Sequence, residues 1–235
     1  MASQVTVLSF DLDDTLWDTP PVLQAAEAAL VAHLERVSSL WAKAYLTPGW
    51  KHRNDQLLVS HPHKAHDVSW RRRQVLTETA REAGVGRDQA DEAFEVFLTA
   101  RQRVTLYPEA ASVLTWASQQ YRLVALTNGN ACVHRTGVGH WFEMAVSPMS
   151  VHTAKPDPEF FHHMMRQMRV SPQQVIHIGD DPHTDVLGAL GVGIRPIWIN
   201  RYGRPWPSAT PWGGEAGELL QVADLNGLRE LLSRL

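Results

Sequence analysis

Four short apolar segments, separated by stretches with helical periodicity, constrain the fold of this chain more than any other feature. The segments are 5–10 (VTVLSF), 123–126, 175–178 and 194–199. Short, continuous apolar runs are typical of strands that helices cover on both faces of a parallel sheet. Helical patterns cover 108–119, 157–168, 184–190 and 225–232. Strands and helices in alternation predict an α/β fold with a doubly wound parallel sheet.

A long helical segment interrupts this alternation after the first strand. The patterns with helical periodicity are 20–37, 70–85 and 89–103, with no convincing strand between them. We therefore predict an α/β core domain made of residues 1–18 and 104–235, and an inserted all-helical domain made of residues 19–103. The chain has 235 residues, which allows this division because one domain takes about 150 residues. A Pro-rich segment at 206–212 predicts a surface loop.

Composition excludes several classes of protein. The net charge is -3, so the chain lacks the overall basic character that favours binding to nucleic acid or to an anionic membrane. No apolar run approaches the length of a membrane span, and the start of the chain does not have the pattern of a secretory signal. The single cysteine, Cys132, cannot form an internal disulfide. We expect a cytoplasmic protein without nucleic acid or membrane partners, and the oligomeric state stays open.

Polar residues follow three of the predicted strands at the edge of the sheet where ligands bind in open α/β folds. They are Asp11, Asp13, Asp14 and Thr15 after the first strand, Thr127, Asn128 and Gly129 after the second, and Asp180, Asp181 and Asp185 after the strand at 175–178. Lys155 lies in a separate loop, directly before Pro156 and a predicted helix start. We expect these side chains to face one pocket.

Asp11, Asp13 and Asp180 would bring three carboxylates together in that pocket. Like charges held close raise one another's pKa unless a cation intervenes. A hard divalent ion bound through oxygen, with Mg²⁺ as the first choice, resolves the repulsion and would also neutralise an incoming phosphate. The alternative is that Asp13, Asp14 and Thr15 form only a turn and a helix cap.

Four motifs in this order resemble those of the haloacid dehalogenase superfamily of aspartate-dependent hydrolases. They are FDLDDTL at 10–16, LTNGN at 126–130, KPDP at 155–158 and GDDPHTD at 179–185. The resemblance implies a Rossmann-like core domain. It also implies that the helical insert is the cap domain that closes over the active site in this superfamily.

The resemblance implies roles for the first motif. Asp11 would be the nucleophile that attacks phosphorus to form an aspartyl-phosphate, and Asp13 would be the general acid and base. Mg²⁺ would be held by Asp11, the backbone carbonyl of Asp13 and Asp180. Superfamily members that act on carbon–halogen bonds lack the second aspartate, so Asp13 implies a phosphatase.

The other motifs complete the expected site. Thr127 and Asn128 would bind the phosphoryl oxygens, and Lys155 would place a positive charge against the transferring group. Asp181 and Asp185 would lie around the metal ligands and orient metal-bound water or Lys155. Four of these residues have an ordinary alternative: Thr127 as a turn cap, Lys155 as a surface lysine, and the two aspartates as caps or surface carboxylates.

Longer segments of the sequence indicate a narrower group within the superfamily. FDLDDTLWD, HDVSWRRR, LTNGNA and IGDDPHTDV resemble the bacterial flavin mononucleotide phosphatases, a group that also dephosphorylates the ribitylaminouracil phosphate of riboflavin synthesis. The expected partner is therefore a small phosphorylated metabolite, with a sugar phosphate as the alternative. Trp70 and the three arginines after it could stack on a flat ring and pair with an anion, whereas helical spacing favours Trp70 as a core residue.

Two further classes of protein stay open at this point. One is a receiver-type signalling domain, which also uses clustered carboxylates, a threonine and a lysine, but in a shorter chain with its acceptor on a later strand. The other is a non-catalytic phosphate-binding relative of the hydrolases.

Overall fold

The computed structural model describes residues 4–207 and 219–234. The chain folds as two compact units. The sheet unit contains the described residues up to Asp18 and those from Thr105 onward, and the helical unit is Thr19–Val104. Most of the surface loop predicted at 206–212 lies outside the described residues. No helix in the described part of the chain has the length and apolar character needed to cross a membrane.

Within the described residues, the chain forms six strands and ten α-helices. The strands are β1 Val7–Phe10, β2 Arg122–Leu126, β3 Met144–Val146, β4 Val175–Gly179, β5 Arg195–Ile199 and β6 Gln221–Val222. The helices are α1 Thr19–Val37, α2 Ser39–Leu46, α3 Trp50–Ser60, α4 Val68–Glu82, α5 Arg87–Arg101, α6 Ala110–Ser118, α7 Pro148–Val151, α8 Pro158–Met168, α9 Gly188–Gly191 and α10 Leu225–Leu232. A π-helix covers Pro182–Leu187, and 3₁₀ turns cover Pro62–Lys64, Gly139–Trp141 and Pro172–Gln174.

The strands form one parallel sheet in the order β3-β2-β1-β4-β5-β6. The central strand β1 has Phe10 level with Ala125 of β2 on one side and with Ile178 of β4 on the other. These three strands therefore end near one another. The strand order reverses between β1 and β4, which is the place where open α/β sheets bind ligands. The predicted doubly wound parallel sheet is confirmed.

Burial explains which strands can be recognised in the sequence. Every residue of β1 and β4 is buried, so both strands read as continuous apolar runs. The edge strands β3 and β6 have three and two residues and include exposed side chains. No apolar run marks them, and neither was predicted.

The helices of the sheet unit begin and end close to the predicted positions, with one exception. Helices α6, α8 and α10 correspond to the patterns at 108–119, 157–168 and 225–232. The helix predicted over 184–190 lies within a helical segment, but this segment starts earlier and has two parts, because the chain enters the π-helix at Pro182 and continues as α9. The backbone N–H groups of Asp185 and Val186 both donate to the carbonyl of Asp181, which widens this turn at its start.

The helical unit has a hydrophobic core of its own. Its fully buried large side chains include Leu30, Leu34, Trp41, Tyr45 and Phe94. Helices α1, α4 and α5 correspond to the three predicted patterns, whereas α2 and α3 were not predicted. Helix α3 buries only Leu57, so its sequence has no apolar stripe that would indicate a helix.

The arginines after Trp70 bond to partners within the helical unit. Arg72 is buried, and its Nη1 lies 2.8 Å from Glu27 Oε2 and 2.7 Å from the Tyr45 hydroxyl. Arg71 donates to Asn54 at 2.8 Å, and Arg73 pairs with two acidic side chains on α5. Trp70 packs against the core of the unit, as the alternative interpretation expected.

Candidate active site

The eight predicted site residues all line one pocket at the carboxyl ends of β1, β2 and β4. The pocket has a volume of about 220 Å³. Its lining residues are Asp11, Asp13, Asp14, Thr127, Asn128, Gly129, Lys155, Asp180, Asp181, Thr184 and Asp185. All of them belong to the sheet unit. Residues far apart in the sequence therefore meet because parallel strands end at the same edge of the sheet.

Lys155 is the centre of the charge arrangement. Its Nζ lies 2.7 Å from Asp11 Oδ1, 2.6 Å from Asp185 Oδ1 and 2.6 Å from the carbonyl oxygen of Leu126. Only 1% of the lysine side chain is exposed. An ammonium group has three N–H donors, and here each has an acceptor. Lys155 is thus a buried cation that bridges two carboxylates, and the surface alternative for it does not apply.

The two carboxylates that share Lys155 have different proton affinities. Burial opposes ionisation at both, but the charge of Lys155 and a hydrogen bond from His177 lower the pKa of Asp185 below its usual range. At Asp11, burial raises the pKa, and the negative charges of Asp185 and Asp13 add to this effect. Burial alone would lower the pKa of Lys155, yet Asp11 and Asp185 together raise it. One ammonium therefore does not balance the negative charge at this site.

Asn128 fixes the backbone at Lys155. Its Oδ1 accepts the backbone N–H of Lys155 at 2.8 Å, and its Nδ2 donates to the carbonyl of the same residue at 2.8 Å. The loop after β2 and the loop that carries the lysine are therefore tied together. These two bonds use only one of the two amide hydrogens of Asn128. The expected contact between Asn128 and the phosphate stays a prediction.

Thr127 lies at the end of β2 and is buried. Its hydroxyl oxygen accepts the backbone N–H of Gly129 at 3.0 Å, which is the turn-forming bond that the alternative interpretation expected. Because the hydroxyl oxygen serves as an acceptor in this bond, its hydrogen can still be donated to an anion. The turn and the expected phosphate contact are therefore compatible.

Asp180 is the third carboxylate of the pocket. Its Oδ2 lies 3.4 Å from Arg204 Nη2, and its backbone carbonyl accepts the indole N–H of Trp198 at 2.8 Å. Burial raises the pKa of Asp180 to about 7, with contributions from the charges of neighbouring carboxylates, chiefly Asp185. The half-exposed arginine does not offset this.

The carboxylates of Asp11, Asp180 and Asp185 offer oxygen atoms within 4.8 Å of one another. Asp185 Oδ1 contacts Lys155 and His177, and its Oδ2 accepts the backbone N–H of Asp181 at 3.0 Å. Of the three, Asp11 and Asp180 are the two whose pKa lies above its usual value, mainly because of burial. A hard divalent cation prefers an all-oxygen donor set of this kind and would favour their ionised forms.

Asp181 has the capping role that was its alternative. Its Oδ1 accepts the backbone N–H groups of His183 at 2.9 Å and Thr184 at 2.6 Å, and the hydroxyl of Thr184 at 3.1 Å. These bonds provide an acceptor for backbone N–H groups at the start of the π-helix. Asp185, four residues later, is buried and accepts a hydrogen bond from Lys155 at 2.6 Å.

His177 on β4 belongs to the site but was not predicted. Its Nε2 lies 3.1 Å from Asp185 Oδ1, and its Nδ1 lies 2.9 Å from the hydroxyl of Ser9 on β1. Burial lowers the pKa of His177, so the ring is neutral at neutral pH. Since a carboxylate only accepts, Nε2 carries the hydrogen and the Ser9 hydroxyl donates to Nδ1. A histidine inside the apolar run VIHIG was the signal that could have identified it.

Comparison with known proteins agrees with this geometry. A model of the haloacid dehalogenase-like hydrolase family matches residues 5–193. The chain belongs to this family, and the resemblance inferred from the four motifs is confirmed.

Several relatives resemble the chain over most of its length. The 5-amino-6-(5-phospho-D-ribitylamino)uracil phosphatase YigB of Escherichia coli is 27% identical over 99% of this chain and 94% of its own length. A phosphoserine phosphatase of Thermus thermophilus is 32% identical over 84% of this chain and 76% of its own length. The crystal structure of a 2-haloacid dehalogenase from Pseudomonas syringae pv. tomato has a TM-score of 0.86 and 33% identity, covering 98% of this chain and 99% of that one.

Proposed function

We propose that this protein is a Mg²⁺-dependent phosphatase that hydrolyses a small phosphomonoester through an aspartyl-phosphate intermediate on Asp11. The observation that carries the proposal is the buried contact between Lys155 Nζ and Asp11 Oδ1 at the carboxyl end of the central strand. A carboxylate paired with a fixed cation, in a pocket that also contains Asp13, has what nucleophilic attack on a phosphate ester requires.

The two chemical steps use Asp11 and Asp13 in turn. In the first, an oxygen of Asp11 attacks phosphorus, the ester bond breaks, and the leaving oxygen takes a proton from the Asp13 carboxyl group. In the second, Asp13 takes a proton from water, and the resulting hydroxide attacks phosphorus and releases inorganic phosphate and the Asp11 carboxylate. Lys155 and the Thr127 hydroxyl stabilise the charge on the phosphoryl oxygens in both steps.

The metal proposal rests on the donor set of the pocket. Asp11, the backbone carbonyl of Asp13 and Asp180 would hold Mg²⁺, while Asp185 holds Lys155 in place. The ion, when bound, supplies positive charge that lets the carboxylates and the phosphate group share one pocket. The raised pKa values of Asp11 and Asp180 support this assignment, because a bound cation would favour the ionised form of both groups.

A dehalogenase is the competing hydrolase, since one of the similar crystal structures is that of a 2-haloacid dehalogenase. A halide leaves as a stable anion and needs no proton, whereas an alkoxide leaving group does. Asp13 supplies a carboxyl group for this purpose within the pocket. The presence of Asp13 therefore favours phosphate ester hydrolysis.

Turnover of p-nitrophenyl phosphate, with Mg²⁺ and with EDTA, tests the reaction class. We expect hydrolysis that requires Mg²⁺, is lost in Asp11→Asn, and is not accompanied by chloride release from 2-chloropropionate. Chloride release without phosphate hydrolysis would make the protein a dehalogenase. Neither activity in a folded protein would favour a receiver-type domain or a phosphate-binding relative without catalysis.

For the substrate, we propose flavin mononucleotide or the ribitylaminouracil phosphate of riboflavin synthesis. The similarity to YigB, which covers nearly the whole chain, supports this choice, and a sugar phosphate is the alternative. A screen of phosphorylated metabolites decides among them. We expect the highest kcat/KM for one of the two riboflavin-related phosphates, and a clear preference for phosphoserine or a sugar phosphate would overturn the choice.

A further inference from the structure

Trp17 contacts the proposed general acid directly. Its indole Nε1 donates a hydrogen bond to Asp13 Oδ1 at 2.9 Å. The tryptophan is fully buried, whereas Asp13 is only partly buried and lines the pocket. A fully buried ring with one donor aimed at a carboxylate oxygen has little freedom to turn away from it.

The backbone around Trp17 fixes the position of the indole. The N–H of Leu16 donates to the carbonyl of Leu12 at 2.8 Å, which closes a helical turn around Asp13. The N–H of Tyr107 donates to the carbonyl of Leu16 at 2.9 Å, and Trp17 forms a β-bridge with Leu106. The tryptophan is therefore held on a segment that is anchored both within the loop and to the chain beyond it.

We propose that Trp17 is a positioning residue for acid–base catalysis and that it selects the oxygen of Asp13 that carries the proton. This inference rests on the proposed phosphatase function. In a protonated carboxyl group the carbonyl oxygen accepts hydrogen bonds better than the hydroxyl oxygen does, so the indole N–H favours the form in which Oδ1 is the carbonyl oxygen. The bond to Oδ1 therefore directs the proton to Oδ2, from which it passes to the leaving oxygen. Oδ2 takes up a proton from water in the second step.

A comparison of leaving groups tests the inference without knowledge of the natural substrate. Phenyl phosphate has a strongly basic leaving oxygen that needs a proton, whereas p-nitrophenyl phosphate has a similar shape and a weakly basic one. We expect Trp17→Phe to lower kcat/KM for phenyl phosphate by about tenfold or more, since a small misplacement of a catalytic group can cost a hundredfold. For p-nitrophenyl phosphate we expect a loss of less than about threefold. Asp13→Asn should show the same selectivity to a larger degree.

Trp41 provides a matched control. It is also fully buried, and its indole N–H donates a hydrogen bond of 3.0 Å to the Thr79 hydroxyl within the helical unit. Trp41→Phe removes a comparable bond, so it should lower the unfolding temperature by a similar amount without changing the ratio of the two rates. If Trp17→Phe does not fold, Trp17→Met is the second variant, because methionine is smaller than tryptophan but adapts its shape to a buried site and has no N–H donor.

The outcomes separate this inference from the proposed function. Equal losses on both phenyl esters in a folded Trp17 variant would mean that the tryptophan has only a structural role, and the inference would be wrong while the phosphatase proposal stands. An absence of turnover of both esters by the wild-type protein would overturn the proposed function and this inference with it.

Discussion

Gly179, the last residue of β4, lies where no other side chain can fit. A Cβ added at this position would overlap the carboxyl group of Asp185, which holds Lys155 and accepts from His177. We predict that Gly179→Ala displaces Asp185 and lowers kcat for p-nitrophenyl phosphate by about tenfold or more, because an error of about 1 Å at a catalytic group is costly. Gly191→Ala is the control, since a Cβ there meets no atom within 4 Å. Equal activity of the two variants would contradict the role given to Asp185.

Asp180 makes the metal affinity depend on pH. In the metal-free protein, burial raises the pKa of Asp180 to about 7, so Mg²⁺ has to displace a proton from this group below that pH. We predict that Mg²⁺ binds more weakly at pH 6 than at pH 8, as measured by calorimetric titration. Asp180→Asn should weaken binding at both values and remove most of the difference between them. A pH dependence that persists unchanged in Asp180→Asn would assign it to another group.

Asp180 also makes the stability of the metal-free protein depend on pH. Acidic pH weakens Mg²⁺ binding but favours the folded metal-free protein. A carboxyl group with a raised pKa binds its proton more tightly in the folded state than in the unfolded state. Asp180 therefore stabilises the metal-free protein fully at acidic pH, and this contribution is lost as the pH rises to about 7. Added Mg²⁺ should restore stability above that pH, which thermal unfolding with and without EDTA would measure.

Single residues show how far the site could be predicted from the sequence. Asp11, Lys155 and Asp180 were found because their types and their places after strands point to phosphate chemistry. His177 and Trp17 were not, because a histidine or a tryptophan within apolar surroundings is also an ordinary core residue. Only the three-dimensional contacts, His177 with Asp185 and Trp17 with Asp13, distinguish them.

The π-helix at Pro182–Leu187 is the element that brings Asp185 into the pocket. Asp181 stabilises its first turn with three hydrogen bonds. We predict that Asp181→Ala lowers the free energy of unfolding by about 1 kcal/mol, as loss of a helix cap does, and leaves the Mg²⁺ concentration for half-maximal activity unchanged within about twofold. Urea unfolding and a metal titration measure the two effects. A large rise in the metal requirement would instead make Asp181 part of the metal site.

Helices and strands could be predicted where burial produces a regular pattern of apolar residues in the sequence. Strands β1 and β4 are buried along their whole length, and α8 alternates buried Phe160, Phe161 and Met164 with exposed polar residues. The strand β6 has two residues and the helix α3 buries one, so tertiary contacts rather than local sequence decide their form. The π-helix was missed for a related reason, since two backbone N–H groups donate to the carbonyl of Asp181 and no periodicity in the sequence marks such a turn.

At the scale of the whole molecule, the sequences of the two units differ in how much they indicate about function. The sheet unit carries the motifs, and the proposed chemistry rests on them. The helical unit carries Arg71, Arg72 and Arg73, which were considered as contacts for an anion but bond to partners within that unit. These arginines therefore do not indicate a substrate, and the proposed substrate class rests on the similarity to known phosphatases.

The central claim is that Asp11 becomes phosphorylated during turnover. Protein mixed with p-nitrophenyl phosphate and Mg²⁺, quenched in acid and measured by intact mass spectrometry, should carry one added phosphoryl group. Peptide mapping should place that group on Asp11, and Asp11→Asn should show none. A phosphoryl group on another residue, or steady hydrolysis with no phosphorylated protein at any quench time, would contradict the account.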